Sequence, residues 1–151
     1  MTTFFDDLCD RFQELHTDLI KTINGLPEEA LDWVAGTEMN SITALVVHLT
    51  GAERYLIGVA LDEPPERDRE SEFKAHGLTV DALKERLAGA DEFTQKGLMR
   101  LSLQDLASVH VSPRNQKTVT AGWAILHALE HTAIHAGHIQ VTRQLWEQRK
   151  V

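Results

Sequence analysis

The sequence predicts an all-α fold, a four-helix bundle with a long crossover between its second and third helices. Three observations predict it. Four segments of roughly twenty to thirty residues repeat apolar side chains at three- and four-residue steps, the period of helices buried along one side. Capping residues and breakers (Ser41, Thr79, Asn24-Gly25, Pro64-Pro65) mark their limits. Nothing between them reads as a sheet.

The first helix runs from about Thr3 to Asn24, with Phe5, Leu8, Cys9, Phe12, Leu15, Leu19, Ile20 and Ile23 on its apolar stripe. Asn24-Gly25 stops it and Pro27 prevents its resumption. LPEEALDW then suits a short helical turn with Trp33 as a hydrophobic plug. The second helix begins after Asn40 or Ser41, either of which can cap free N–H groups, and continues to about Leu61. Ile42, Leu45, Val46, Val47, Leu49, Tyr55, Leu56, Ile57 and Val59 nearly encircle it, which implies a central helix or one covered by a second subunit. After Pro64-Pro65, ERDRESEFKAHG is charged and aperiodic and is expected to be a surface crossover. Its length suggests that the second and third helices run parallel. The third helix starts at the Thr79 cap and extends to about Leu101, with Leu83, Leu87 and Ala90 inward and Lys84, Glu85 and Glu92 outward. SLQDLASVHVSPRNQKT is a long connection, and the fourth helix spans about Val119 to Gln148.

A chain of 151 residues that is 42% hydrophobic can form one domain over residues 1–151 with a real core. Its net charge of −8 and scattered basic residues argue against nucleic-acid binding. His48, Glu53 and Arg54 interrupt the longest apolar stretch, so no membrane span is expected. The start, MTTFFDDLCDRFQ, is acidic where a signal peptide would be basic, and Cys9 alone allows no intrachain disulfide; a cytoplasmic location is expected. Cys9 lies on the apolar stripe and reads as a small buried hydrophobe rather than a nucleophile.

The chemistry-bearing feature is the histidine run His127, His131, His135 and His138 in LHALEHTAIHAGHIQ. Spacings of four, four and three put all four on one helix face, among Leu126, Leu129, Ala133, Ile134 and Ile139. Neutral imidazoles on a half-buried stripe suit a transition metal. The i,i+4 pair His131 and His135 can chelate one ion. His131 and His138 lie about 10 Å apart along the axis, too far for one ion with Zn–N bonds of ~2.0–2.1 Å. A third ligand must come from elsewhere, and His48 in the apolar second helix is best placed. His16, on a mixed face, and His76 and His110, in loop-like segments, are weaker candidates. His127 and His138 are expected to donate supporting hydrogen bonds or to line a pocket. A lone inward histidine such as His48 is more often a hydrogen-bonded core residue than a ligand, and one i,i+4 pair among eight histidines carries little weight alone.

The Trp33 turn, the Asn40-Ser41 cap and His48 in the second helix, followed by the His131-x3-His135 pair in the last, resemble the DinB/YfiT-like superfamily of small bundle metalloproteins. The resemblance covers essentially the whole chain. It implies His48, His131 and His135 as ligands of one divalent transition metal. Zn or Ni is expected first, with Fe or Mn behind them, and imidazole also suits Cu. Members often follow the second histidine with Arg-Gly-Gln-Ile; here the chain reads Ala136-Gly137-His138-Ile139, so His138 stands where relatives carry Gln. Relatives include mycothiol-dependent maleylpyruvate isomerase and bacillithiol transferases, which implies a low-molecular-weight thiol cosubstrate.

Two function classes follow. In the first the protein is a metal-dependent enzyme acting on a small molecule, using an activated thiol for S-transfer or an activated water for hydrolysis. His138 and His127, one turn to either side of the pair, are then candidate catalytic residues, as proton shuttle or pocket wall; Glu53 and Glu130 are less well aimed. In the second it is a non-catalytic metal-binding bundle. No nucleophile elbow, phosphate loop or dinucleotide fingerprint decides between them. Surplus apolar surface on the second helix (Val47, Ile57, Val59) and the fourth (Trp123, Ile125, Val141) suggests a homodimer.

Overall fold

Each long helix forms where its caps allow. A computed structural model describes residues 3–150. α1 (Phe4–Ile23) starts at a capping box, in which the Thr3 side chain accepts from the Asp6 N–H and the Asp6 carboxylate accepts from the Thr3 N–H. α2 (Glu28–Asp32) is the turn expected around LPEEALDW. Ser41 caps α3 (Ile42–Ala60), α4 (Arg69–Glu72) is a single turn, and Thr79 caps α5 (Val80–Leu98). Thr120 caps α6 (Ala121–Gln148).

Two expectations about the connections are corrected. A short antiparallel ribbon, β1 (Val109–Val111) and β2 (Thr118–Thr120), precedes α6, where no sheet was expected. Val119 therefore pairs with His110 instead of opening the last helix. Strands of three residues are too short to show a period-two pattern. The crossover is not merely a surface segment either: α4 carries the buried Glu72 inward. Gly58 lets this crossover turn back closely, because a Cβ there would meet Pro64 and Pro65 at 2.8 and 2.6 Å.

α1, α3, α5 and α6 form the bundle. At one end Leu19 and Ile23 of α1 pack with Ile42, Leu45 and Val46 of α3, Leu83 and Leu87 of α5, and Ala136 and Ile139 of α6. At the other, Phe5, Leu8 and Phe12 pack with Tyr55, Ile57, Leu98, Ala124 and Ile125. α3 and α5 thus run parallel, as the crossover suggested, and antiparallel to α1 and α6. α3 is long and apolar enough to cross a membrane, but 83% of that stretch is buried inside the fold, where its apolar girth is used. Val47, Ile57 and Val59 lie in that interior, so the surplus expected on this helix does not reach the surface. On α6, Ile125 is buried as well, while Trp123 and Val141 are exposed.

A polar layer separates the two apolar clusters. Glu53 is fully buried, accepting from Thr94 Oγ1 at 2.7 Å and Thr132 Oγ1 at 3.0 Å, with His16 Nε2 at 2.9 Å. The other ring nitrogen of His16 lies 3.1 Å from Asp91. Burial opposes a charge on His16, but its hydrogen bonds to Glu53 and then Asp91 outweigh this and raise its pKa above the ordinary value.

Candidate metal centre

Three histidines from two helices meet beside this layer. α3 carries His48, and successive turns of the facing α6 carry His131 and His135. One potential ligand atom from each lies within 4.8 Å of the others. His48 Nε2 and His131 Nε2 are 3.1 Å apart. Two nitrogens bonded to one ion at ~2.05 Å in tetrahedral geometry would stand roughly 3.3 Å apart, so this spacing suits a shared metal.

The donor chemistry fits as well. Burial first, and then the neighbouring His135 and His48, push the His131 pKa down to about 3. Burial and the charges of His48 and His138 bring His135 down to about 4. Both rings are therefore neutral at pH 7, with lone pairs available. His131 Nδ1 is one of two buried side-chain polar atoms without a hydrogen-bond partner among the described residues.

His48 is held from behind by the crossover. Its Nδ1 donates to Glu72 Oε2 at 2.9 Å, and its ring lies on Phe73 with centroids 4.2 Å apart. This fixes the tautomer that turns Nε2 toward the cluster. Arg67 grips the Glu72 carboxylate twice, at 2.7 and 2.8 Å. Burial would raise the Glu72 pKa, but the bonds from His48 and Arg67 lower it below the ordinary carboxylate value. Gly51 makes room for the arrangement, since a Cβ there would overlap Glu72 Oε1.

The sequence reading missed Glu72, Phe73 and Arg67. Charged residues in an aperiodic stretch resemble solvated surface; only their mutual pairing allows them to be buried. The signal that could have found them is Asp68, a capping residue that opens a single helical turn inside the charged stretch.

The other candidates do not enter the three-histidine cluster. His138 is exposed, with Nδ1 3.3 Å from His135 Nδ1, so it touches the edge of the cluster. His127 stands 6.1 Å from His131 between ring centroids and lines a cavity of about 310 Å³ together with His48 and His131. His16 is spent on Glu53 and Asp91, His110 lies 3.5 Å from Asp62, and His76 is exposed. Glu53, considered as a base, faces the bundle interior with its oxygens committed to His16, Thr94 and Thr132. Glu130 is exposed beside His127 at 3.3 Å. Cys9 is half-buried, and burial followed by nearby carboxylates pushes its thiol pKa up, against nucleophilic use.

Comparison with known proteins bears on the same features. The family model described as the DinB superfamily matches residues 11–139. No curated protein matches the sequence. Among solved structures, a conserved protein from Enterococcus faecalis superposes with a TM-score of 0.81 at 17% identity, covering 99% of this chain and 100% of the other. YfiT from Bacillus subtilis, described as a probable metal-dependent hydrolase with an unusual four-helix bundle topology, gives 0.78 at 13%, covering 99% and 92%. A variant of a mycothiol-dependent maleylpyruvate isomerase gives 0.69 at 14%, covering 92% of this chain and 63% of that one. At these identities the likeness is one of fold.

Proposed function

The chain belongs to the DinB superfamily, and from that premise we propose that it is a metal-dependent enzyme acting on small molecules, with S-transfer from a low-molecular-weight thiol as its reaction. The observation that carries the reading is the convergence of His48, His131 and His135 beside a cavity of about 310 Å³, a volume within the usual range for small-molecule sites. A closed structural site would have no use for that space.

Bound there, a divalent ion such as zinc or nickel would supply Lewis acidity that lowers the pKa of a thiol or a water toward neutrality. The protein's own groups do the rest. Glu72 and Phe73 hold the His48 ring, and Arg67 holds Glu72. His127, on the cavity wall, is placed to take or return a proton. His138 supports His135 from the solvent side. YfiT's description favours hydrolysis as the second reading.

The test has two arms. Metal analysis of untagged protein should find one ion per chain. His48→Ala, His131→Ala and His135→Ala should each abolish binding, whereas His127→Ala and His138→Ala should weaken it by at most ~10–100-fold. Full occupancy in His48→Ala would overturn the three-histidine site. In the second arm, bacillithiol, mycothiol, glutathione and cysteine are each presented with a model electrophile. A thiol that reacts faster with loaded than with metal-free protein, unaffected by Cys9→Ala, supports S-transfer; equal rates for every thiol leave hydrolysis as the reading to pursue.

A further inference from the structure

The wall of the cavity beside the histidines is cationic in a protein that is strongly acidic. Arg67, Arg69, Arg114 and Lys117 line it, and no carboxylate does, although the chain has 23 acidic residues to 15 basic ones. Arg67 is neutralised by Glu72. Arg69, Arg114 and Lys117 have no carboxylate within ion-pair distance among the described residues. Glu66 and Asp68 line an adjacent groove with Arg67 and Arg114 without pairing to them, while Glu72 is engaged by Arg67 and His48, and Glu130 by His127.

The elements that carry these charges are also held in place. Arg114 and Lys117 lie in the turn between β1 and β2, and that turn is bolted to α3. Tyr55 Oη lies 2.9 Å from Ser112 Oγ and accepts from the Arg114 N–H at 3.1 Å. Ser112 and Tyr55 are both buried, so the turn cannot swing freely away from the cavity. Arg69 joins the lining from α4, with its guanidinium 4.8 Å from the Phe73 ring. Like charges gathered around a concave, partly apolar space repel one another unless an anion joins them, and such a wall concentrates anions from solution. Leu56, Val59 and Trp123 supply the apolar part of the lining.

We propose that this cavity takes an organic anion, a small molecule carrying a carboxylate or phosphate group, whose charge is received by Arg69, Arg114 and Lys117 while its apolar body lies against Trp123. The inference rests on the reading of the site as catalytic, because it names the substrate class of that site. Guanidinium groups suit both anions, since each can accept two parallel hydrogen bonds.

The experiment is calorimetric titration of zinc-loaded and metal-free protein with succinate, with its uncharged diamide, and with inorganic phosphate. Succinate is expected to bind about tenfold tighter than the diamide in both forms, a preference that weakens as salt is added. Phosphate binding in place of succinate would assign the anion to the phosphate class and support the proposal. In Arg114→Gln/Lys117→Gln, both exposed turn positions, the preference should fall by about tenfold while zinc still binds at one per chain. Arg69→Gln, on a different element, should act in the same direction. Failure of both succinate and phosphate to bind more tightly than the diamide, or an unchanged preference in both variants, would overturn the anionic substrate. Loss of zinc stoichiometry with anion preference intact would instead overturn the metal-dependent reading alone, because the metal-free arm reads the cationic wall directly.

Discussion

Replacing Gly51 by alanine separates helix propensity from the support of His48. In an ordinary helix interior, Gly→Ala stabilises by about 0.5–1 kcal/mol. Here the added Cβ overlaps Glu72 Oε1. That oxygen ends a flexible side chain, but it is pinned: Arg67 holds the carboxylate at 2.7 and 2.8 Å and His48 holds it at 2.9 Å, with both Arg67 and Glu72 side chains 8% exposed. Displacing it breaks a buried ion pair, which costs about 3 kcal/mol at the lower end of the usual range. Set against a propensity gain of about 1 kcal/mol, the net destabilisation should be about 2 kcal/mol, read by urea unfolding of metal-free protein. Zinc affinity, read by competition with a chromophoric chelator, should fall by ~10–100-fold as His48 loses its partner. In a Glu72→Ala background the clash is gone, and Gly51→Ala should stabilise by up to about 1 kcal/mol, a coupling of about 3 kcal/mol between the two positions. If Gly51→Ala leaves stability and zinc affinity unchanged, or costs the same in both backgrounds, the Arg67–Glu72–His48 support is refuted.

Chelation should lower the melting temperature but leave far-UV circular dichroism at 25 °C nearly intact, because two apolar clusters hold the bundle without an ion; collapse of helicity would make the metal structural. In metal-free protein, stability should fall as pH drops from about 6.5 toward 4, since His131 and His135 stay neutral in the fold, at about 3 and 4, and take up protons only on unfolding. His16 works in the opposite sense: its raised pKa contributes stability below 6.5 that is lost as pH rises through the folded value, and His16→Gln should flatten that alkaline limb in urea titrations. We also propose that the outer stripe of α6 (Trp123, Ile134, Val141 and Leu145, all exposed) forms a homodimer contact; light scattering should give a dimer that Ile134→Glu converts to monomer, and a monomeric parent protein would remove the idea.

Much of this was legible in the sequence because it is local. Helix limits depend on caps and breakers within a few residues, so Ser41 and Thr79 announced α3 and α5. The four-residue spacing of His131 and His135 places them on one face of any helix, whatever surrounds it. What packs against what is not local. The sequence could not show that His16, on a mixed face, would enter a core layer with Glu53, Thr94 and Thr132, since burying it depends on Asp91 and Glu53 arriving from other helices. Nor could it show that Val47, Ile57 and Val59 would be covered by the chain's own helices and not by a second subunit. The burial of the crossover is hidden from the sequence for the same reason. Arg67 and Glu72 look solvated one at a time, and only the fold, by closing them into a pair behind His48 with Gly51 yielding the space, makes their burial affordable. Side-chain type and spacing are written along the chain; the compensation that lets charge leave water exists only between residues that the tertiary structure brings together.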